Sequence, residues 1–92
     1  PAVSRDLALV MADSQPVGPV MAAMEKAAGA LLEECRMFDV YRGAQLGEGK
    51  KSVAFSLTFR AADHTLTENE ITAAMEKVLK ACEKEFGAVI RS

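Results

Sequence analysis

Asp39, Tyr41 and Ser52 are the residues of this chain whose types and spacing suggest a shared chemistry. Asp39 and Tyr41 are two residues apart, and Ser52 follows beyond the glycine-rich stretch GAQLGEG, residues 43–49. Extended chains alternate their side chains, so a hairpin built on this stretch can gather all three on one side of a sheet. A carboxylate there can accept from the two adjacent N–H donors on the Watson–Crick edge of guanine. A phenol ring offers a stacking surface for an unpaired base, a contact that contributes about 1–3 kcal/mol. Arg42, Lys50 and Lys51 stand beside them in sequence as candidate phosphate contacts, which fix position rather than read sequence. A solvated sheet face with ordinary charges at its strand ends fits the same pattern.

Other chemistries find no support. GAQLGEGKKS approaches a phosphate-binding loop but misses twice: Ala44 stands where the first glycine belongs, and Lys51 where Ser or Thr belongs. His64 is the one histidine, in a polar stretch without a cysteine or second histidine near it. Cys35 and Cys82 lack metal-ligand spacing and read as reduced core thiols, in keeping with a cytoplasmic setting. Neither a metal site nor a catalytic site is expected. An acylphosphatase-like reaction needs an anion loop with Arg and Asn, yet Asn69 is the one asparagine and sits in a helix-start motif. The formal net charge of −2 argues against DNA or RNA binding by bulk charge, so any RNA contact must be local. No apolar run approaches the ~18 residues that span a bilayer, and no partnership with membrane is expected.

The elements that must position these residues follow from periodicity. Residues 5–12 read as a strand, with Leu7, Leu9 and Met11 on one parity, and residues 13–16 as a turn. A helix is expected to start at Gly18–Pro19 with proline at its first position, to carry Val20, Met21, Met24, Ala27 and Ala28 as its apolar stripe, and to stop at Gly29. Residues 31–42 and 51–60 read as the second and third strands. Val53, Phe55, Leu57 and Phe59 alternate with Ser52, Ala54, Ser56 and Thr58. Thr67 and Glu70 form a capping box, flanked by Leu66 and Ile71 at the staple positions. The helix it opens runs to Gly87, and residues 88–91 read as a last short strand. The order β-α-β-β-α-β defines an α+β, ferredoxin-like sandwich: a four-stranded antiparallel sheet with both helices on one face. The helix-covered face is expected to hold Leu7, Leu9, Phe38, Val40, Val53, Phe55, Leu57 and Phe59, which requires Val40 to pair near Val53. Asp39, Tyr41 and Ser52 then lie on the open face. Arg5 and Arg60 fall toward the other end of the sheet, in structural roles. One domain is expected over residues 1–92, and the absence of an initiator Met suggests a piece of a longer chain.

The strings PAVSRDLALV (residues 1–10), FDVYRG (38–43), GKKSVAFSLTFR (49–60) and TLTENEI (65–71) resemble the anticodon-binding domain that ends bacterial phenylalanyl-tRNA synthetase beta chains. The likeness covers nearly the whole chain. It implies a module that grips the anticodon stem-loop of tRNA(Phe), with Asp39, Tyr41 and Ser52 touching anticodon bases. Phenylalanine anticodons begin with G, which agrees with the carboxylate argument for Asp39. The resemblance further implies an α2β2 tetramer with an alpha subunit that carries catalysis, with ATP and Mg2+ bound elsewhere and no cofactor in this domain. The same fold also serves structural, oligomerising and small-molecule-sensing domains, so the fold alone does not choose among them.

Overall fold

The structure, a computed structural model, describes residues 1–91. Its elements are β1 (Val3–Ala12), α1 (Val17–Ala28), β2 (Leu32–Tyr41), β3 (Lys50–Phe59), α2 (Glu68–Phe86) and β4 (Val89–Ile90). The order is that of the ferredoxin-like sandwich. All strand pairs are antiparallel, in the spatial order β2-β3-β1-β4. The single domain expected over residues 1–92 has its last residue, Ser92, outside the described range.

Alternation along the two central strands builds the core. Leu7 pairs with Phe55 and Leu9 with Val53, and these side chains are buried together with Leu57 and Phe59. Two helical stripes close over them: Val20, Ala23 and Met24 from α1, and Ile71, Ala74, Val78 and Cys82 from α2. Area removed from water on one sheet face and two helix stripes is the main term holding this sandwich. Cys35 and Cys82 are both free thiols, and burial pushes each up to about 11. The Cys35 Sγ lies 3.7 Å from the Met24 Sδ, a contact between α1 and β2.

The start of α2 follows its sequence closely. Thr67 N donates to Glu70 Oε1 at 3.0 Å, and Glu70 N donates to Thr67 Oγ1 at 3.2 Å. Leu66 and Ile71 are buried on either side of this cap, as a hydrophobic staple requires. Gly87 ends the helix with φ 65°, and its N–H is bonded back to the last turn.

Two expectations need correction. First, α1 begins at Val17, with Pro16 in the capping position, so Pro19 is the third helical residue rather than the first. The first four helical N–H groups have no partner within the helix, so a proline costs no hydrogen bond there. Second, Phe38 and Val40 are not covered by the helices: they are 47% and 36% exposed. The reason is a break in the β2–β3 ladder. Met37 pairs with Phe55 and Asp39 with Ala54, leaving Phe38 as an extra residue, a β-bulge. Val40 does pair with Val53, as expected, but on an edge strand where helix cover gives out.

That bulge decides which side of the sheet the candidate residues occupy. Cys35 and Met37 pair with Leu57 and Phe55, on the helix side. Unbroken alternation from them would carry Asp39 and Tyr41 to the helix side as well. The extra residue at Phe38 reverses the parity and turns both to the open face, opposite Ala54 and Ser52.

Candidate nucleic-acid interface

The strand register lays the open face out in rows. One row runs Asp6, Ser56, Arg36 across β1, β3 and β2. The next runs Ala8, Ala54, Asp39, and the one after it Val89, Val10, Ser52, Tyr41, now including β4. Beyond them lie Ala12 and Lys50. Asp39 and Tyr41 are therefore neighbours on the β2 edge of a surface floored by alanine, serine and valine. Small side chains there let a flat ligand approach the sheet closely.

Asp39 is exposed and makes no ion pair among the described residues. Its carboxylate oxygens are free to accept. The Tyr41 ring is held from two sides. Gln45 Nε2 donates to its hydroxyl, fastening the ring to the β2–β3 connection. Gly43 provides the room: a Cβ at that position would fall against the Tyr41 hydroxyl and 2.6 Å from Cζ. Gly43 has φ −163°, ordinary extended backbone, so glycine is needed here for space rather than for backbone freedom. Ser52, between Tyr41 and Val10, is 3% exposed.

The basic residues divide. Lys50 is exposed and shares the open face through its pairing with Ala12. Arg42 is exposed but forms an ion pair with Asp13. Lys51 is not at the open face: it pairs with Met11 on the helix side, is 7% exposed, and donates from Nζ to the Gln15 carbonyl at 2.7 Å. The hydrogen bond ties β3 to the turn after β1 and holds the side chain on the side of the sheet away from Asp39 and Tyr41. At the far end, Arg5 binds both Glu68 oxygens at 2.8 and 3.0 Å, and Arg60 binds Glu33 at 2.8 Å. These are pairs between elements, consistent with structural roles.

One residue of this surface was missed from the sequence. The Arg91 guanidinium carbon lies 4.8 Å from the centroid of the Tyr41 ring. Arg91 N donates to the Ala8 carbonyl at 2.8 Å, so the residue continues the β4–β1 pairing and falls in the row of Ala8, Ala54 and Asp39. A strand of two residues has no parity to read alone. Only its pairing with β1 shows which way Arg91 points. A second cation stands near an aromatic ring on the same strand as Asp39: the Arg36 guanidinium carbon is 5.8 Å from the Phe38 centroid. No group of three or more His, Cys, Asp or Glu able to hold a metal forms among the described residues. No helix among them is long and apolar enough to cross a membrane.

An open, small-residue sheet face with an acid, an aromatic ring and cations at one end, over a ferredoxin-like sandwich, defines a class of domain suited to unpaired nucleotides. The chain belongs to the ferredoxin-fold anticodon-binding domain family, whose model matches residues 1–91. It is similar to the phenylalanine–tRNA ligase beta subunits of Bacillus subtilis, 48% identical over 91 residues, and of Geobacillus kaustophilus, 46% identical over 91 residues. The corresponding subunit of Corynebacterium efficiens is 47% identical over 91 residues. Each alignment covers 99% of this chain and 11% of the relative, so the chain spans about a ninth of the length of these proteins.

Proposed function

We propose that this domain binds the anticodon stem-loop of tRNA(Phe) and that it serves a phenylalanine–tRNA ligase as part of its beta subunit. The observation that carries the proposal is the bulge-directed placement of Asp39 and Tyr41 side by side on the uncovered sheet face. Tyr41 stacks on an anticodon base. Asp39 accepts from the N1–H and exocyclic amine of a guanine at the first anticodon position, which cytosine, lacking that pair of donors, cannot satisfy. Ser52 contributes a hydroxyl at the floor of the same place. Lys50 contacts a loop phosphate, and Arg42 does so by exchanging its Asp13 partner for one. Lys51, held by the Gln15 carbonyl, has no such part.

The parent enzyme charges tRNA with phenylalanine, in an α2β2 tetramer with an alpha subunit and in the cytoplasm. ATP and Mg2+ act elsewhere in that assembly. The donor set here does not fit a magnesium site, and no step of activation runs through these residues. The domain instead holds the far end of the tRNA, so that its binding energy favours the correct substrate.

The test is titration of the chain with two end-labelled stem-loops, carrying G or C at the first anticodon position. The G form is expected to bind more tightly by about 1–3 kcal/mol, roughly five- to 150-fold. Asp39→Ala should erase most of that preference. Tyr41→Ala should weaken both loops by about 1–3 kcal/mol. Both variants should unfold at the wild-type temperature, since both side chains lie on the open face. Equal affinity for the two loops in wild type, or unchanged affinity in both variants, removes the assignment.

A further inference from the structure

We infer that the outer edge of β2 pairs with the same edge of a second copy of this chain, antiparallel about a two-fold axis between Met37 and Phe38, with Arg36 of each copy on Asp39 of the other. The inference goes beyond the anticodon reading above and does not depend on it.

The edge itself is the first observation. β2 is ten residues long and ends the sheet, with β3 on one side and no strand on the other among the described residues. Every second residue of such an edge turns its N–H and C=O outward without a partner strand, which makes a template for a further strand. Apolar side chains stand along it: Met37, Phe38 and Val40 are 41%, 47% and 36% exposed. A neighbouring strand removes part of that area from water.

Register names the occupant. Phe38 is an extra residue that β3 does not match. A regular strand laid on the outer edge meets the same break. A second β2 carries an extra residue of its own, and the two breaks coincide when the axis passes between Met37 and Phe38. Arg36 then lies opposite Asp39, Cys35 opposite Val40 and Glu34 opposite Tyr41. The faces agree at each pair. Arg36, Asp39, Glu34 and Tyr41 belong to the open face, and Cys35 and Val40 to the helix side, because their β3 partners alternate that way. In an unbroken strand residues 36 and 39 would point to opposite faces, and this pairing could not form.

Charge fixes the choice. Arg36 and Asp39 are exposed, and neither forms an ion pair among the described residues. The two-fold axis repeats their contact, so an opposite-charge pair flanks the apolar centre on each side. Moving the axis one residue along the strand sets Glu34 against Asp39 in one direction and Arg36 against Tyr41 in the other, and both ion pairs are lost. The contact is isologous, so it stops at two copies once both β2 edges are used. Two strand edges bury less than about 1,200 Å2, so the dimer is weak, with Kd on the order of 100 μM. Within it Asp39 is held by Arg36 of the second copy, so self-association and the proposed guanine contact exclude one another.

The experiment is sedimentation equilibrium of the chain from about 10 μM to about 1 mM, a range that brackets this Kd. Wild type should pass from monomer to dimer, and the amide signals of residues 34–41 should shift with concentration. Arg36→Asp and Asp39→Arg each set like charges opposite one another at both pairs and should weaken the dimer about tenfold or more. Mixed in equal amounts, these two variants present opposite charges at both pairs and should associate as wild type does. A chain that stays monomeric to about 1 mM overturns the inference. So does a dimer indifferent to both reversals, or a mixture no more associated than its components. Should a reversal lower the unfolding temperature, Arg36→Gln and Asp39→Asn decide: each should weaken the dimer about threefold, and unchanged association in both overturns the pairing.

Discussion

Gly43 is the residue whose role is plainest once the side chains are in place. It adds nothing to the surface, yet the Tyr41 ring occupies the space its side chain would take. Alanine is compatible with the backbone there, since φ is −163°. The ring, being the free end of a side chain, would swing aside at little cost to the fold. Gly43→Ala is therefore expected to weaken stem-loop binding about fivefold or more, as the stacking geometry is lost. Its unfolding temperature should stay within about 4 °C of wild type, as for a surface change of about 0.5 kcal/mol. Binding by isothermal calorimetry and unfolding by circular dichroism separate the two effects.

At the scale of elements, the start of α2 is the most fully specified part of the chain. Removing the Thr67 hydroxyl leaves the Glu70 N–H without its cap. Thr67→Ala should cost about 1 kcal/mol, or about 4–8 °C in a domain of this size. The same cap carries the pH dependence. His64 Nε2 lies 2.9 Å from Glu70 Oε2 and its Nδ1 lies 2.7 Å from Asp63 Oδ1. Hydrogen bonds to Glu70 and then Asp63 raise the His64 pKa above its ordinary 6.5. Its contribution is complete below about pH 6.5 and is lost as pH rises through the raised folded value. The Thr67 N–H, and after it His64, holds Glu70 below its ordinary 4.5, while His64 holds Asp63 below 3.8. Their contribution is present above those values and is lost as pH falls. The cap is thus firmest between about pH 4.5 and 6.5. Unfolding temperature measured from pH 5 to 8 should decline in wild type relative to His64→Ala, which lacks the histidine step. Parallel curves would show that the contacts do not persist in solution.

For the molecule as a whole, charge sets how RNA can be held. The chain is formally −2, and Asp39 adds a negative charge inside the proposed site. Affinity must come from a few local contacts rather than a general field. With about two phosphates neutralised by Lys50 and Arg42, the log–log salt slope should be about −1.4. A slope far steeper would mean that binding runs over a broad basic surface rather than through these few contacts. The short β4 strand pairs with only Leu9 and Val10 of β1, so residues 3–7 of β1 have no strand beside them on that side among the described residues, while β2 leaves Met37, Phe38 and Val40 exposed along the other edge.

Much of this was legible from residue order. The alternation of Val53, Phe55, Leu57 and Phe59, the Thr67–Glu70 box and the stops at Gly29 and Gly87 are local signals, and each formed as read, because each is decided by neighbours in the chain. The pairing of Val40 with Val53 also followed, from the need to keep apolar residues on one side. What the sequence could not decide is long-range. The bulge at Phe38 depends on how β2 is drawn along β3, and it lets Cys35 and Met37 share the helix side while Asp39 and Tyr41 take the open side expected from the Val40–Val53 pairing. Lys51 is tied to Gln15, 36 positions away, and Arg91 meets Tyr41 across two intervening strands. Local propensity fixes elements, but side-chain partners between distant segments exist only once the sheet has assembled and set its register.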